Sequence, residues 1–240
     1  MFLGALACVG TGTIVGKTQF DRPDTVRIRY WLSEKAAEYD IHHPIKEYVG
    51  EAFAPMFESV DVTYGGALAV TTEHGYHVSK VGEWPLNLLR SESKGLDTVR
   101  DANILITDGP LGPDPLGIAR FTFASLGGAR HIENAPDRDD IEDVVEFDSS
   151  LFVLQVLLHE IGHTLGLHHE HGTIDRVSDG IVASPMVSAY AWLEPSEQFN
   201  ANQSVCHQQY PQDREGNRYL SFEFADCARR EINRSRRWFG

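Results

Sequence analysis

The chain has 240 residues, 42% hydrophobic and 23% charged, which supplies the core of one large domain or two small ones. Its formal net charge of −14 excludes a basic nucleic-acid footprint for the chain as a whole. No apolar run reaches the ~20 residues a membrane-spanning helix needs, and no cysteine pair has the CxxC spacing of a thiolate zinc site.

Residues 1–24 read as a leader or pro-segment remnant. They open on the apolar MFLGALACV but lack a positive n-region. GTGTIVGKT, 10–18, imitates a phosphate-cradling loop. That pattern needs glycine at position 11, where Thr11 stands, and Asp21 and Pro23 interrupt the helix that should follow, so a nucleotide site is rejected. TVRIRYWL, from Thr25, alternates as a strand does. Residues 44–58 place Ile45, Tyr48, Val49, Ala52 and Phe53 at helical spacing, with Pro44 in the first turn and Pro55 ending or bending the helix. VDVTY and LAVTT are two short strands, and ANILITD, from Ala102, is a buried one. A proline-rich loop, 108–117, leads to GIARFTF, 117–123, read as one strand.

The acidic run 137–148 is read as a solvated loop, with a calcium site as the sharper alternative. SSLFVLQVLLHEIGHTLG is a strong helix, capped by Ser149 or Ser150 and ended by Gly166. The chain is then less regular until about Ser221, after which a last helix carries five arginines on a solvated face. Cys206 and Cys227 would form either a disulfide, worth about 3 kcal/mol for a loop of roughly 20 residues, or two buried thiols. Sequons at Asn202 and Asn233 fit secretion.

The chemistry concentrates in HEIGHTLGLHHEHG, 159–172. On a helix, His159 and His163 stack one turn apart and reach one ion, while Glu160 approaches a water beside that ion without ligating. A left-handed turn at Gly166 brings the chain back so that His169 supplies a third ligand, leaving zinc an open fourth position. His168 and His171 are left over, the latter at the surface or behind the ligands.

HEIGHTLGLHH resembles the HExxHxxGxxH motif of the metzincin zinc endopeptidases. The resemblance implies His159, His163 and His169 as zinc ligands and Glu160 as general base. It also implies a methionine turn at SPMVSAY, with Met186 as an apolar floor under the ligands. Tyr190 is a candidate for stabilising the oxyanion, or a packing residue. The order of segments before the helix looks like a matrixin catalytic domain, whereas His169-Glu170-His171 looks like an astacin. Glu146 stands where a histidine of the matrixin structural zinc site would be, and Asp148 is a candidate calcium ligand. Matrixin pro-segments block zinc with a cysteine; ACVGTG around Cys8 lacks their flanking arginine and proline.

The expected fold is α+β and metzincin-like: a twisted mixed β-sheet, an active-site helix and a smaller C-terminal subdomain. The catalytic domain spans 25–240, with an upper subdomain 25–166 and a lower one 167–240. The expected activity is zinc-dependent hydrolysis of internal peptide bonds in a protein or peptide substrate, by a secreted monomer without nucleic-acid or membrane-spanning character. The alternative is a catalytically silent zinc-binding interaction protein of the same fold.

Overall fold

A computed structural model describes residues 25–80, 84, 98–112, 114–187, 205, 206 and 216–236. The leader with Cys8, the loop 10–18, Tyr190 and the Asn202 sequon lie outside the described residues.

Alternation makes β1, Thr25–Ser33, an interior strand of the main sheet. Val26, Ile28, Tyr30 and Leu32 are buried in the main core, while Trp31 points oppositely into a smaller cluster with Val78, Trp84 and Leu105. The helix α1, His42–Phe53, buries Ile45, Tyr48, Val49 and Phe53 and stops before Pro55, short of position 58. β3, Ala102–Ile106, is buried on both faces, as its unbroken apolar run requires.

Two strand expectations are corrected. VDVTY and the start of LAVTT form one strand, β2, Ser59–Leu68, and Val70 to Thr72 lie beyond it. The register slips opposite Trp31, where Gly65 and Gly66 let the strand bulge past the indole and run on. GIARFTF is not one strand but the start of a hairpin: β4 is Gly117–Arg120 and β5 is Phe123–Leu126. The turn falls on Phe121, at φ 54° and 89% exposed. Phe and Thr are poor turn residues, so alternation on either side hides the reversal.

These strands form a five-stranded sheet, ordered β2-β1-β3-β5-β4. β2, β1, β3 and β5 are parallel, and β4 is the antiparallel edge. A short helix α2, Gly75–Lys80, and a one-turn helix α3, Ala129–Ile132, follow β2 and β5 respectively.

The long helix α4, Ser149–Thr164, packs its apolar residues into the main core. Its cap is Asp148, one residue earlier than expected, whose carboxylate accepts the Ser150 N–H at 2.8 Å. Asp148 is occupied in this way, and among the described residues it belongs to no trio of candidate metal ligands. At the other end Gly166 has φ 90°, and the Leu167 N–H reaches the Gly162 carbonyl at 2.9 Å. The Gly166 N–H reaches His163 O at 3.1 Å, which completes a Schellman closure.

The expected irregular stretch after Gly166 instead holds most of a second sheet. It comprises β6, Val144–Glu146, β7, Ile174–Val177, β8, Gly180–Ala183, and β9, Asn217–Ser221. Their order is β6-β9-β8-β7. Strands of three to five residues are too short to show a period in sequence. Gln155 of α4 joins the layers: its amide donates to Ala183 O and Ser221 O, both at 2.9 Å.

The carboxylates of the acidic run are solvent-exposed, as expected for a solvated loop, but the segment is anchored. It folds around Arg138, which is 5% exposed, paired with Asp143 and Glu51 and packed against the Tyr48 and Phe222 rings. The last helix, α5, Asp226–Arg236, is tied to Cys206 by a disulfide at Cys227, which settles the alternatives left open for these cysteines. Arg229 and Arg234 lie beside Glu223 and Glu231. Asn233 sits in this helix with its side-chain oxygen buried, so that sequon is not a presented loop.

Candidate metal centre and active-site cleft

The two helical histidines meet as their spacing requires, and the turn at Gly166 delivers the third. His163 Nε2 lies 3.0 Å from His159 Nε2 and 3.1 Å from His169 Nε2. Ligand atoms of the three residues all fall within 4.8 Å of one another.

Backbone carbonyls set the tautomers. His159 Nδ1 donates to Pro185 O and His163 Nδ1 donates to Leu167 O, each at 2.8 Å. A carbonyl only accepts, so both Nδ1 atoms carry the proton and both Nε2 atoms present a lone pair. Neither Nε2 can donate to the other, and their close approach is stabilised only by a cation. A tetrahedral zinc with Zn–N of about 2.0 Å holds its ligand nitrogens about 3.3 Å apart, so the donor set and its spacing fit that ion. Burial, reinforced by the neighbouring rings, holds His159 well below the ordinary imidazole range. Burial brings His163 down to about 4, and burial followed by nearby His168 also lowers His169. All three are thereby kept in the neutral form that ligates.

Met186 is buried against the active-site helix. A Cβ at Gly162 would meet its Sδ at 2.5 Å, so the glycine inside HEIGH is where the helix admits the sulfur. Pro185, next to Met186, is the residue whose carbonyl orients His159. The leftover histidines stay out of the cluster. His168 is exposed, and His171 is buried at 4%, not at the surface, accepting the His168 N–H on Nδ1 at 2.9 Å.

Glu160 is 4% exposed, and among the described residues its Oε2 is buried without a hydrogen-bond partner. Burial pushes its pKa up to about 8. A divalent cation beside it acts in the opposite sense and favours the carboxylate. The other carboxylate oxygen faces the first residue of β4: a Cβ on Gly117 would stand 2.7 Å from Glu160 Oε1. Gly117 and Gln155 are contributors that sequence reading missed. A glycine at a strand start and a glutamine on a helix carry no local signal of such roles.

The cluster opens on a cleft of about 620 Å³ bordered by Gly117, Ile118, Ala119 and Arg120 on one side and the histidines on the other. Those four residues are β4, whose outer edge pairs with no strand among the described residues.

No protein-family model matches the chain, and no curated protein matches it. Among solved structures it is similar to an archaemetzincin from Methanopyrus kandleri, at 14% identity over 88% of this chain and 96% of that one, with a TM-score of 0.44. It is also similar to a zinc-dependent peptidase from Methanocorpusculum labreanum, at 13% identity over 85% and 99%, TM-score 0.43. Metalloproteinase-II from Bacteroides fragilis shares 19% identity over 64% of this chain and 49% of that one, TM-score 0.37. The functional reading rests on the geometry of the histidine cluster.

Proposed function

We propose that the chain is a zinc-dependent endopeptidase. The observation that carries this reading is the convergence of two lone-pair Nε2 atoms and a third imidazole beside a buried, unpartnered carboxylate, under a free sheet edge. His159, His163 and His169 hold the ion, which when bound supplies the Lewis acidity that polarises a scissile carbonyl and acidifies a water. Glu160 takes the water's proton and delivers it to the leaving amine. β4 receives an extended peptide by main-chain hydrogen bonds, which places an internal peptide bond over the cluster. Met186 supports the ligands from below. A protein that only bound zinc would not require an unpartnered carboxylate at this point, which favours the enzyme over a silent zinc-binding protein. The Cys206–Cys227 bond suits an oxidising compartment and supports a secreted location.

The test is cleavage of a mixed peptide library by the zinc-loaded chain, with and without a chelator, beside Glu160→Ala. Chelator-sensitive cleavage that falls by about 10³-fold or more in the variant, with zinc retained, is expected. Zinc-loaded protein that cuts no peptide would favour the silent zinc-binding reading.

A further inference from the structure

A second group of metal-ligand side chains stands by the same cleft. His74 precedes α2 and His77 lies in its first turn, their ring centroids 4.4 Å apart and the planes inclined at 57°. Asp114 belongs to the loop that enters β4 and itself lines the cleft. Its Oδ2 lies 3.7 Å from His74 Nε2 and 3.9 Å from His77 Nε2. Ligand atoms from the three residues fall within 4.8 Å of one another.

The backbone that carries the histidines is tightly held. The Glu73 carbonyl accepts Thr107 Oγ1 at 2.5 Å, and the Gly75 carbonyl accepts Ser125 Oγ at 2.6 Å. The Glu73 carboxylate accepts Ser33 Oγ at 2.6 Å and the Asp108 N–H at 2.8 Å. Four residues from three strands and their ends thus hold the segment that carries His74. Among the described residues, His74 Nδ1 is buried without a hydrogen-bond partner, and Nε2 is the nitrogen turned toward Asp114.

We propose that His74, His77 and Asp114 form a second zinc site that clasps the loop before β4 to α2. Two imidazoles and one carboxylate are a zinc donor set, whereas calcium and magnesium take mainly oxygen. A tetrahedral zinc draws its ligands to about 3.3 Å apart, so the exposed Asp114 carboxylate, at 3.7 and 3.9 Å from the two imidazoles, would move about half an ångström toward each. The site acts on β4 through Asp114, which precedes Gly117 by three residues, while the Leu116 carbonyl is already held by the Gly127 N–H at 2.9 Å. A third trio, His43, Glu47 and Asp137, is mostly solvent-facing, and Glu47 is engaged by the Arg138 N–H, so it serves as the control.

The experiment strips the full chain of metal, reloads it with zinc and counts bound zinc by atomic emission after removal of excess. Two equivalents are expected in the wild type, one in His77→Ala and one in Asp114→Asn, and two in Glu47→Gln. His77 and Asp114 side chains are 46% and 61% exposed, so both variants keep the fold, and circular dichroism verifies it. One equivalent in the wild type, or two retained by both variants, overturns the second site. Zinc should also protect the loop before β4 from limited proteolysis in the wild type but not in Asp114→Asn; equal cutting of the two overturns the clasp. Glu160→Ala keeps two equivalents whatever its turnover, so failure of this site and failure of the peptidase reading are separately visible.

Discussion

The two histidine groups differ in how far the chain alone completes them. In the first, adjacent turns of one helix place His159 and His163, carbonyls fix both tautomers, and nitrogens already stand at 3.0 and 3.1 Å. In the second, segments some 40 residues apart meet, the carboxylate is largely exposed, and the separations are 3.7 and 3.9 Å. The first is preorganised by the helix and the carbonyls; in the proposed second site the ion would supply the final geometry. Catalysis needs the former, and a loop clasp works with the latter.

The largest expected effect separates the scaffolds of the two groups. Asp108 sits where β3 ends, its side chain buried between Arg130 Nε at 2.8 Å and Lys35 Nζ at 2.9 Å, and its N–H holds Glu73 next to His74. Burial acts to raise its carboxyl, but the Arg130 and Lys35 hydrogen bonds outweigh it and hold the pKa at about 2. Because the folded value lies below the unfolded one of about 3.9, the stabilisation is complete above pH ~4 and is lost as pH falls toward ~2. Asp108→Asn should cost about 3 kcal/mol at neutral pH and flatten that acid limb, measured by denaturant titration across pH. It should loosen the second zinc more than the first.

Gly117→Ala should strike the first centre alone. Its Cβ displaces Glu160, so kcat falls about 10²-fold while both zinc equivalents remain, a result that steady-state kinetics with metal analysis would give. Unchanged kcat would mean that Glu160 is not held against β4. Gln155→Ala leaves two buried carbonyls without their donor and should cost about 2 kcal/mol of stability in urea, with kcat less affected. The smallest effect belongs to Phe121→Ser at the hairpin tip, within about 0.5 kcal/mol because the ring is already in water. A rise in KM for that variant would show that the ring touches substrate.

The first centre was legible in sequence because its geometry is local. A four-residue spacing on a helix and a glycine three residues on are enough to bring His159, His163 and His169 together. α1, β1 and β3 were legible for a similar reason, since period and burial coincide there. The hairpin turn at Phe121 was hidden because its residues are not turn formers. The second sheet was hidden because its strands are too short to carry a period. Asp148 was passed over as a cap because two serines follow it.

By itself, then, the sequence determined the helix, the three converging imidazoles and the adjacent carboxylate, since short-range stereochemistry dictates each. Tertiary structure alone decided that Gly117 abuts Glu160, that Gln155 bridges to the second sheet, and that His74 and His77 meet Asp114. These pairs are separated by 28 to 66 residues, a distance over which no local period or propensity carries information. Only the closing of the two sheets around α4 brings them into contact.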